Sequence, residues 1–208
     1  MNDDRRREWE ERHRRGTHAG PPSPFIVAAL DAIARRGQAA PARRRALDLA
    51  CGSGRHACVL ASRGYRVVAV DYAYAAVAAL RARARGLAID GLVADVTTWP
   101  LPSARFDVVV VVDFLERALL PALRAAVAPG GVLVMETFMV GQERHGHPRN
   151  PLYLLRPGEL LAACGDWTVL LAHEGETPGA VPACRAGIAA ARPAALVDSA
   201  EPFGSYPA

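Results

Sequence analysis

The chain contains no lysine: all 25 of its Lys and Arg positions are arginine. Alongside so much alanine, this reads as coding bias rather than chemistry. Cysteine is scarce. Cys51, Cys58, Cys164 and Cys184 form no C-x-x-C pair and have no metal-ligand spacing, so they read as buried or half-buried thiols of a reducing compartment. Long apolar runs are also missing. The stretch 108–112 is too short for a membrane span, and charges flank it. The first residues, Met1-Asn2-Asp3-Asp4-Arg5-Arg6-Arg7-Glu8, are charged and have no apolar core, so no signal peptide is expected and the default location is the cytoplasm.

What is present suits one globular domain. The 208 residues are 51% apolar and 22% charged, enough for a full core. The net charge of +4 is uneven: residues 1–45 carry eleven Arg against six acids, and the remainder is slightly acidic. A basic segment is one footprint of nucleic-acid binding. Residues 5–12, however, mix both signs at i,i+4 spacing, which a solvated helix explains more simply. Nucleic acid is therefore not the expected partner.

The pattern predicts a charged helix over 3–15, a turn-rich link to residue 24 and an apolar helix over 25–36. Strands are expected at 46–50, 67–71, within 87–94, and at 106–113, 132–138, 167–173 and 187–191. Helices are expected at 55–63, 74–85, 116–127 and 157–164, several of them closed by a capping glycine. Residues 97–105 hold Pro100 and Pro102 and read as irregular. Residues 139–155 read as a long loop. Alternating strands and helices predict an α/β fold: a doubly wound, mostly parallel sheet with helices on both faces. The expected organisation is an N-terminal helix and linker over 1–24 able to act as a lid, one main domain over 25–192 and a loosely structured tail over 193–208.

The densest functional signal is Ala46-Leu47-Asp48-Leu49-Ala50-Cys51-Gly52-Ser53-Gly54, followed by Asp71 nineteen positions after Gly52. A short apolar strand enters a Gly-x-Gly turn, a helix follows, and an acid closes the next strand. This is the layout of a βαβ unit that holds a nucleoside-containing cofactor. Residues 52–57 also satisfy G-x-G-x-x-A, so a nicotinamide-dependent oxidoreductase competes. Asp48 inside the first strand counts against a dinucleotide, as does the lack of length for a catalytic domain. Acids also close three successive strands, at Asp71, Asp95 and Asp113, where a pyrophosphate would be repelled.

With these features the chain resembles the class I S-adenosylmethionine-dependent methyltransferases. Residues 47–55, Val70-Asp71, Ala94-Asp95, the run 106–110 and Ala128-Pro129-Gly130-Gly131 carry the resemblance, which spans roughly residues 9–192. It implies a seven-stranded Rossmann-like sheet whose last strand is antiparallel. The finer pattern is similar to the branch related to tellurite-resistance methyltransferases, through Gly52-x-Gly54-Arg55, the run 154–160, Trp167, Trp9 and the run 22–25. The tellurite enzymes themselves carry a His-Arg pair late in the chain, after the Trp. Here His173-Glu174-Gly175 has no adjacent Arg, a departure that argues against tellurite as acceptor.

Carried over position by position, the resemblance implies that Cys51, Gly52, Ser53 and Gly54 pack against the methionine part of S-adenosylmethionine and that Asp48 holds its ammonium. Asp71 would accept from the ribose hydroxyls, with Tyr72 against the adenine. Asp95 would take the adenine amino group and the Val96 backbone a ring nitrogen. Asp113 would lie beside the methionine moiety. The alternative for each of these acids is capping of the next helix or turn.

The polar loop 141–150 is longer than a connection requires, as functional loops are. Arg144, His145 and Arg149 are its candidates for substrate binding. Glu143 and His145 are its candidates for a catalytic base. His145 and His147 lack a third ligand nearby, so no metal is expected. The expected activity is methyl transfer to a small molecule, a thiol, oxyanion or hydroxyl, chiefly by positioning. An RNA or protein acceptor and a non-catalytic cofactor-binding subunit are the alternatives. The usual Asn/Asp-Pro-Pro-aromatic signature of amino methylation is absent: Asp113-Phe114-Leu115-Glu116 stands there. A monomer or homodimer is expected.

Overall fold

The structure is a computed structural model that describes residues 3–16, 20–36, 44–177 and 182–194. Part of the expected link at 16–24, most of the loop after residue 36 and the tail from residue 195 lie outside the described residues. Six helices and seven strands are described, in the order α1 (Asp3–Arg14), α2 (Pro24–Arg35), β1 (Arg45–Leu49), α3 (Arg55–Ser62), β2 (Arg66–Asp71), α4 (Tyr74–Arg83), β3 (Ile89–Val93), β4 (Phe106–Val112), α5 (Leu120–Ala126), β5 (Val127–Phe138), α6 (Glu159–Ala163), β6 (Thr168–Thr177) and β7 (Ala183–Ala191). They form the α/β architecture that the sequence predicts.

All seven strands belong to one sheet, ordered β3-β2-β1-β4-β5-β7-β6. Strand β7 runs antiparallel to both of its neighbours, while the pairs from β3 through β5 are parallel. The order reverses between β1 and β4. The chain leaves β1 toward β3 on one side, then returns to lay β4 on the other. At such a reversal the loops after the two strands diverge and open a crevice at their carboxyl ends. That places the turn after Leu49 and the turn after Val112 side by side.

Alternation along the strands divides the core into two layers. Leu47, Leu49, Val109, Val111, Leu133 and Met135 face one side, with Leu123, Leu160 and Trp167. Ala46, Val108, Val110, Val132 and Val134 face the other, against Ile26, Leu30, Ala57 and Leu60. The central strands are therefore covered on both faces, which is why β4 reads as an unbroken valine run. Each Val or Leu buried in this way contributes about 1.5–3 kcal/mol.

Several boundaries differ from the sequence expectation, among them that of β6, which runs to Thr177 rather than ending at 173. The helix expected over 116–127 opens with a 3-10 turn at Arg117–Leu119, and its α-helical part starts at Leu120, with Pro121 in its first turn. Strand β5 starts at Val127, because Val127 pairs with Phe106 before Pro129-Gly130-Gly131 bulges out and pairing resumes at Val108 and Val132. Strand β7 starts at Ala183 rather than 187, since pairing with β5 extends to Phe138 and Arg185 and pairing with β6 to Thr177 and Ala183.

Candidate active site

After β1 the chain turns sharply. Ala50, Gly52 and Gly54 take φ of 58°, 53° and 77°. The Cys51 amide donates to the Val70 carbonyl at 3.0 Å, and the Gly54 amide to the Cys51 carbonyl at 3.0 Å, so the turn is fastened to β2. Gly54 is required twice over. Its φ is left-handed, and a Cβ there would lie 2.0 Å from Leu80 Cδ1 on α4.

Asp48 sits in β1 just before this turn, between Ala69 of β2 and Val110 of β4, and is only 1% exposed. Its Oδ2 has no hydrogen-bond partner, and neither does Ser53 Oγ within the turn. Burial pushes the Asp48 carboxyl up to about 7, outweighing the downward pull of the Ala57 amide. A buried acceptor left unpaired is expensive unless a ligand supplies the donor. These two oxygens at a Gly-x-Gly turn therefore fit the cationic, donor-rich amino-acid end of S-adenosylmethionine. Burial also pushes the Cys51 thiol well above its ordinary range, with Asp48 adding to the effect, so it is protonated.

Asp71 closes β2 and is buried. Its Oδ2 accepts from the Gly52 amide at 2.8 Å and its Oδ1 from the Ala73 amide at 3.0 Å. The carboxylate thus ties the glycine turn to the start of α4. Each oxygen keeps a further acceptor site for a hydroxyl. Tyr72, next to it, is half-buried. After β3, Asp95 Oδ1 accepts from Thr97 N and Thr97 Oγ1 at 2.9 and 2.7 Å. Burial opposes its ionisation, but the Thr97 hydrogen bonds prevail and hold its carboxyl below the ordinary value. Val96 is buried in the core. Asp107 proves structural: it accepts from the Arg45 amide at 2.7 Å.

Asp113 follows β4 with φ of 57°. Arg55, at the start of α3, donates to its Oδ2 at 2.7 Å, and Arg185 of β7 donates to its Oδ1. Arg185 also lies 3.5 Å from Glu136, a buried acid near the end of β5. Glu136 accepts from Ser23 Oγ at 2.5 Å and is 3.2 Å from His173 Nε2. Ser23 in turn donates its amide to His56 Nε2 at 3.1 Å. That bond needs an unprotonated Nε2. Burial, with Arg55 nearby, lowers His56 to about 4 and keeps it so. One polar chain thus joins β4, β5, β6, β7, α3 and the N-terminal link at the carboxyl edge of the sheet.

Asp48, Cys51, Gly52, Ser53, Gly54 and Asp71 gather at the tips of β1 and β2, with Asp95 and Val96 after β3 and Asp113 after β4. Glu143, Arg144, His145 and Arg149 occupy a separate loop. Buried Gln142 pins this loop, accepting from the Cys184 amide at 2.8 Å and donating to the His147 carbonyl at 3.1 Å. Glu143 accepts from the Gly141 amide, and His145 pairs with Glu176 at 3.2 Å. No group of three metal-binding side chains converges among the described residues. The sequence reading missed Glu136, Arg185, His56 and Ser23 as a connected set. The one local clue was a lone acid ending the apolar run 132–135.

The N-terminal helix also reaches this region. Glu10 accepts from the Tyr74 and Ala75 amides at 2.5 and 3.0 Å. His13 lies over Gly52, its Cε1 3.4 Å from where a Cβ would stand. Trp9 packs beside His13, with ring centroids 5.9 Å apart.

Residues 46–131 match the family model described as a methyltransferase domain. A demethylmenaquinone methyltransferase of Thermus thermophilus is 40% identical over 108 residues, which are 47% of this chain and 48% of that protein. An uncharacterised methyltransferase of Mycobacterium bovis is 37% identical over 105 residues, 48% of this chain and 53% of that one. The chain thus spans about half the length of these curated relatives. Among solved structures, TehB from Haemophilus influenzae superposes with a TM-score of 0.66 at 20% identity, covering 80% of this chain and 62% of that one. The N-methyltransferase NodS from Bradyrhizobium japonicum gives 0.63 at 18% identity, covering 81% and 94%. No helix among the described residues is long and apolar enough to cross a membrane. Residues 46–131 thus match a methyltransferase domain, and the seven-stranded sheet that contains them has the Rossmann-like fold of S-adenosylmethionine-dependent methyltransferases.

Proposed function

We propose that the protein transfers the methyl group of S-adenosylmethionine to a small-molecule acceptor and does so mainly by positioning. The observation that carries this reading is the unpaired, buried Oδ2 of Asp48 at the Gly52-Ser53-Gly54 turn. A structural aspartate at that depth would have all its acceptors satisfied. The bound cofactor supplies an already activated methyl group on a sulfonium. The chain's own residues have to hold and orient. Asp48 and Ser53 take the amino-acid end, Asp71 the ribose hydroxyls, and Asp95 with Val96 the adenine edge. Asp113, locked between Arg55 and Arg185, forms a fixed wall at the neighbouring strand tip. Proximity of this kind supplies about 7–11 kcal/mol of a methyl-transfer barrier. Glu143 accepts from the Gly141 amide of its own loop, and His145 pairs with Glu176, so both are engaged away from the Asp113 cluster; this favours an acceptor that needs no strong base.

Calorimetry with S-adenosylhomocysteine and with NAD tests the cofactor. Binding of the first and not the second is expected, and the reverse result would overturn the reading. Tritiated-methyl transfer across thiols, phenols, oxyanions and RNA then sorts the acceptors. Label appearing in RNA, or none in any acceptor, would favour the RNA methyltransferase or the non-catalytic binding subunit instead.

A further inference from the structure

Helix α4 has no cap of its own. Ala73 stands at its N-cap position and offers no side-chain acceptor. The first amides of such a helix need partners. Here Glu10, from a helix more than sixty residues earlier, takes two of them, at Tyr74 and Ala75. One helical turn further along α1, His13 covers Gly52. Between these two contacts lies Asp71, which bonds the Gly52 and Ala73 amides and is only 6% exposed. Helix α1 therefore bridges the same two segments that the Asp71 carboxylate ties together.

We propose that α1 is an outer wall of the cofactor site, with His13 contacting the bound cofactor above Gly52 and Glu10 latching the helix by capping α4 in trans. This rests on the cofactor reading above. A helix of this length is marginal by itself in water. Its own ion pairs, Glu8 with Arg12 and Glu11 with Arg15, are exposed and contribute only about 0.3–0.5 kcal/mol each. Docking through Glu10 therefore decides whether α1 stays closed. Trp9 stands against His13, with Arg12 5.0 Å from its ring centroid, and steadies the imidazole.

The test uses the full chain, with Glu10→Ala, Glu10→Gln and His13→Ala. Amide exchange at Tyr74 and Ala75, without ligand, reads the latch. Release of tritiated S-adenosylhomocysteine reads the wall. Glu10→Ala should expose both amides and speed release about tenfold, the size of a lost helix cap. Glu10→Gln, which keeps an acceptor oxygen, should restore most of both. His13→Ala should speed release and leave the exchange unchanged. Unaltered exchange in Glu10→Ala would overturn the latch. Unaltered release, or tighter binding, in His13→Ala would overturn the wall, tighter binding making α1 a competitor of the cofactor. A wild-type chain that fails to bind S-adenosylhomocysteine overturns the cofactor reading and the role of His13 with it, while the exchange measurement still decides the latch.

Discussion

The imidazole of His173 and the carboxylate of Glu136 meet at 3.2 Å although their strands are not neighbours. Strand β7 runs between β5 and β6, and at the crossing Gly187 pairs with Glu136 on one side and His173 on the other. A Cβ at position 187 would lie 2.8 Å from both His173 Nε2 and Phe25 Cε1. The missing side chain is the gap through which His173 reaches Glu136 while packing at a tilt against Phe25, with ring centroids 4.8 Å apart. Gly187→Ala should push the imidazole out and destabilise the protein by about 1–3 kcal/mol, the range of overpacking. Urea denaturation measures it, and an unchanged midpoint would show that the two rings yield freely.

Glu136 is buried, which alone would raise its pKa. His173, Arg185 and Ser23 outweigh that and hold it below the ordinary 4.5. A carboxylate with a depressed folded pKa stabilises the native state above its unfolded value, and this contribution fades as pH falls through the folded value. Wild type should therefore lose stability on acidification below about 4.5. Glu136→Gln should be less stable at neutral pH, by about 1–3 kcal/mol for a lost charged hydrogen-bond set, and should show a shallower acid limb. Parallel limbs in a denaturation series from neutral to acid pH would place the titration elsewhere.

Asp48 carries the opposite sign. Its carboxyl is raised from 3.8 to about 7, so its neutral form favours folding. That contribution is complete below the unfolded value and is lost as pH rises through the folded one. Without cofactor, Asp48→Asn should remove this decline and leave the protein more stable than wild type above neutral pH. On the proposed role of Asp48, the same substitution removes the negative partner of the cofactor's ammonium, so S-adenosylhomocysteine should bind more weakly. In wild type, binding should tighten as pH rises toward about 7 and release protons, because the ammonium favours the ionised carboxylate. Calorimetry in buffers of different ionisation enthalpy counts those protons. A pH-independent affinity with no proton release would remove Asp48 from the ammonium site.

The part of the site readable in the sequence is the part built from local geometry. A Gly-x-Gly turn and an acid nineteen positions later belong to one βαβ unit, so their spacing survives in the sequence as a pattern. The α/β class followed from the same alternation, while the antiparallel last strand came with the family resemblance and the strand order only with the structure. The polar cluster behind Asp113 left no such trace. Glu136, His173 and Arg185 come from three strands, and each is a single charge at the end of an apolar or small-residue run. Their meeting depends on β7 inserting between β5 and β6 and on Gly187 having no side chain. Residues 141–150 drew attention for their polarity, yet Gln142 and Glu143 use much of it to fold the loop on itself and on β7. The role of Glu10 was hidden for another reason. Alternating charges in α1 satisfy the rule for an exposed helix, and only the uncapped start of α4 distinguishes Glu10 from its neighbours.

The contact between Gly54 and Leu80 links the Gly-x-Gly turn to the helix that follows β2. Gly54→Ala places a methyl where Leu80 Cδ1 now lies, on a residue with φ of 77°. Strain from the left-handed backbone contributes about 1–2 kcal/mol, and the overlap adds about 1–3 kcal/mol. Only the second part depends on Leu80. Leu80→Ala alone leaves a cavity worth about 2–5 kcal/mol, and a methyl at position 54 would partly fill it. The double variant should therefore be less destabilised than the sum of the two single ones, with a coupling of about 0.5–3 kcal/mol. Strict additivity in a denaturant-based double-mutant cycle would mean that the turn and α4 yield independently. Coupling would show that the backbone cradle for the cofactor is held in place by the core of the sheet's helical layer.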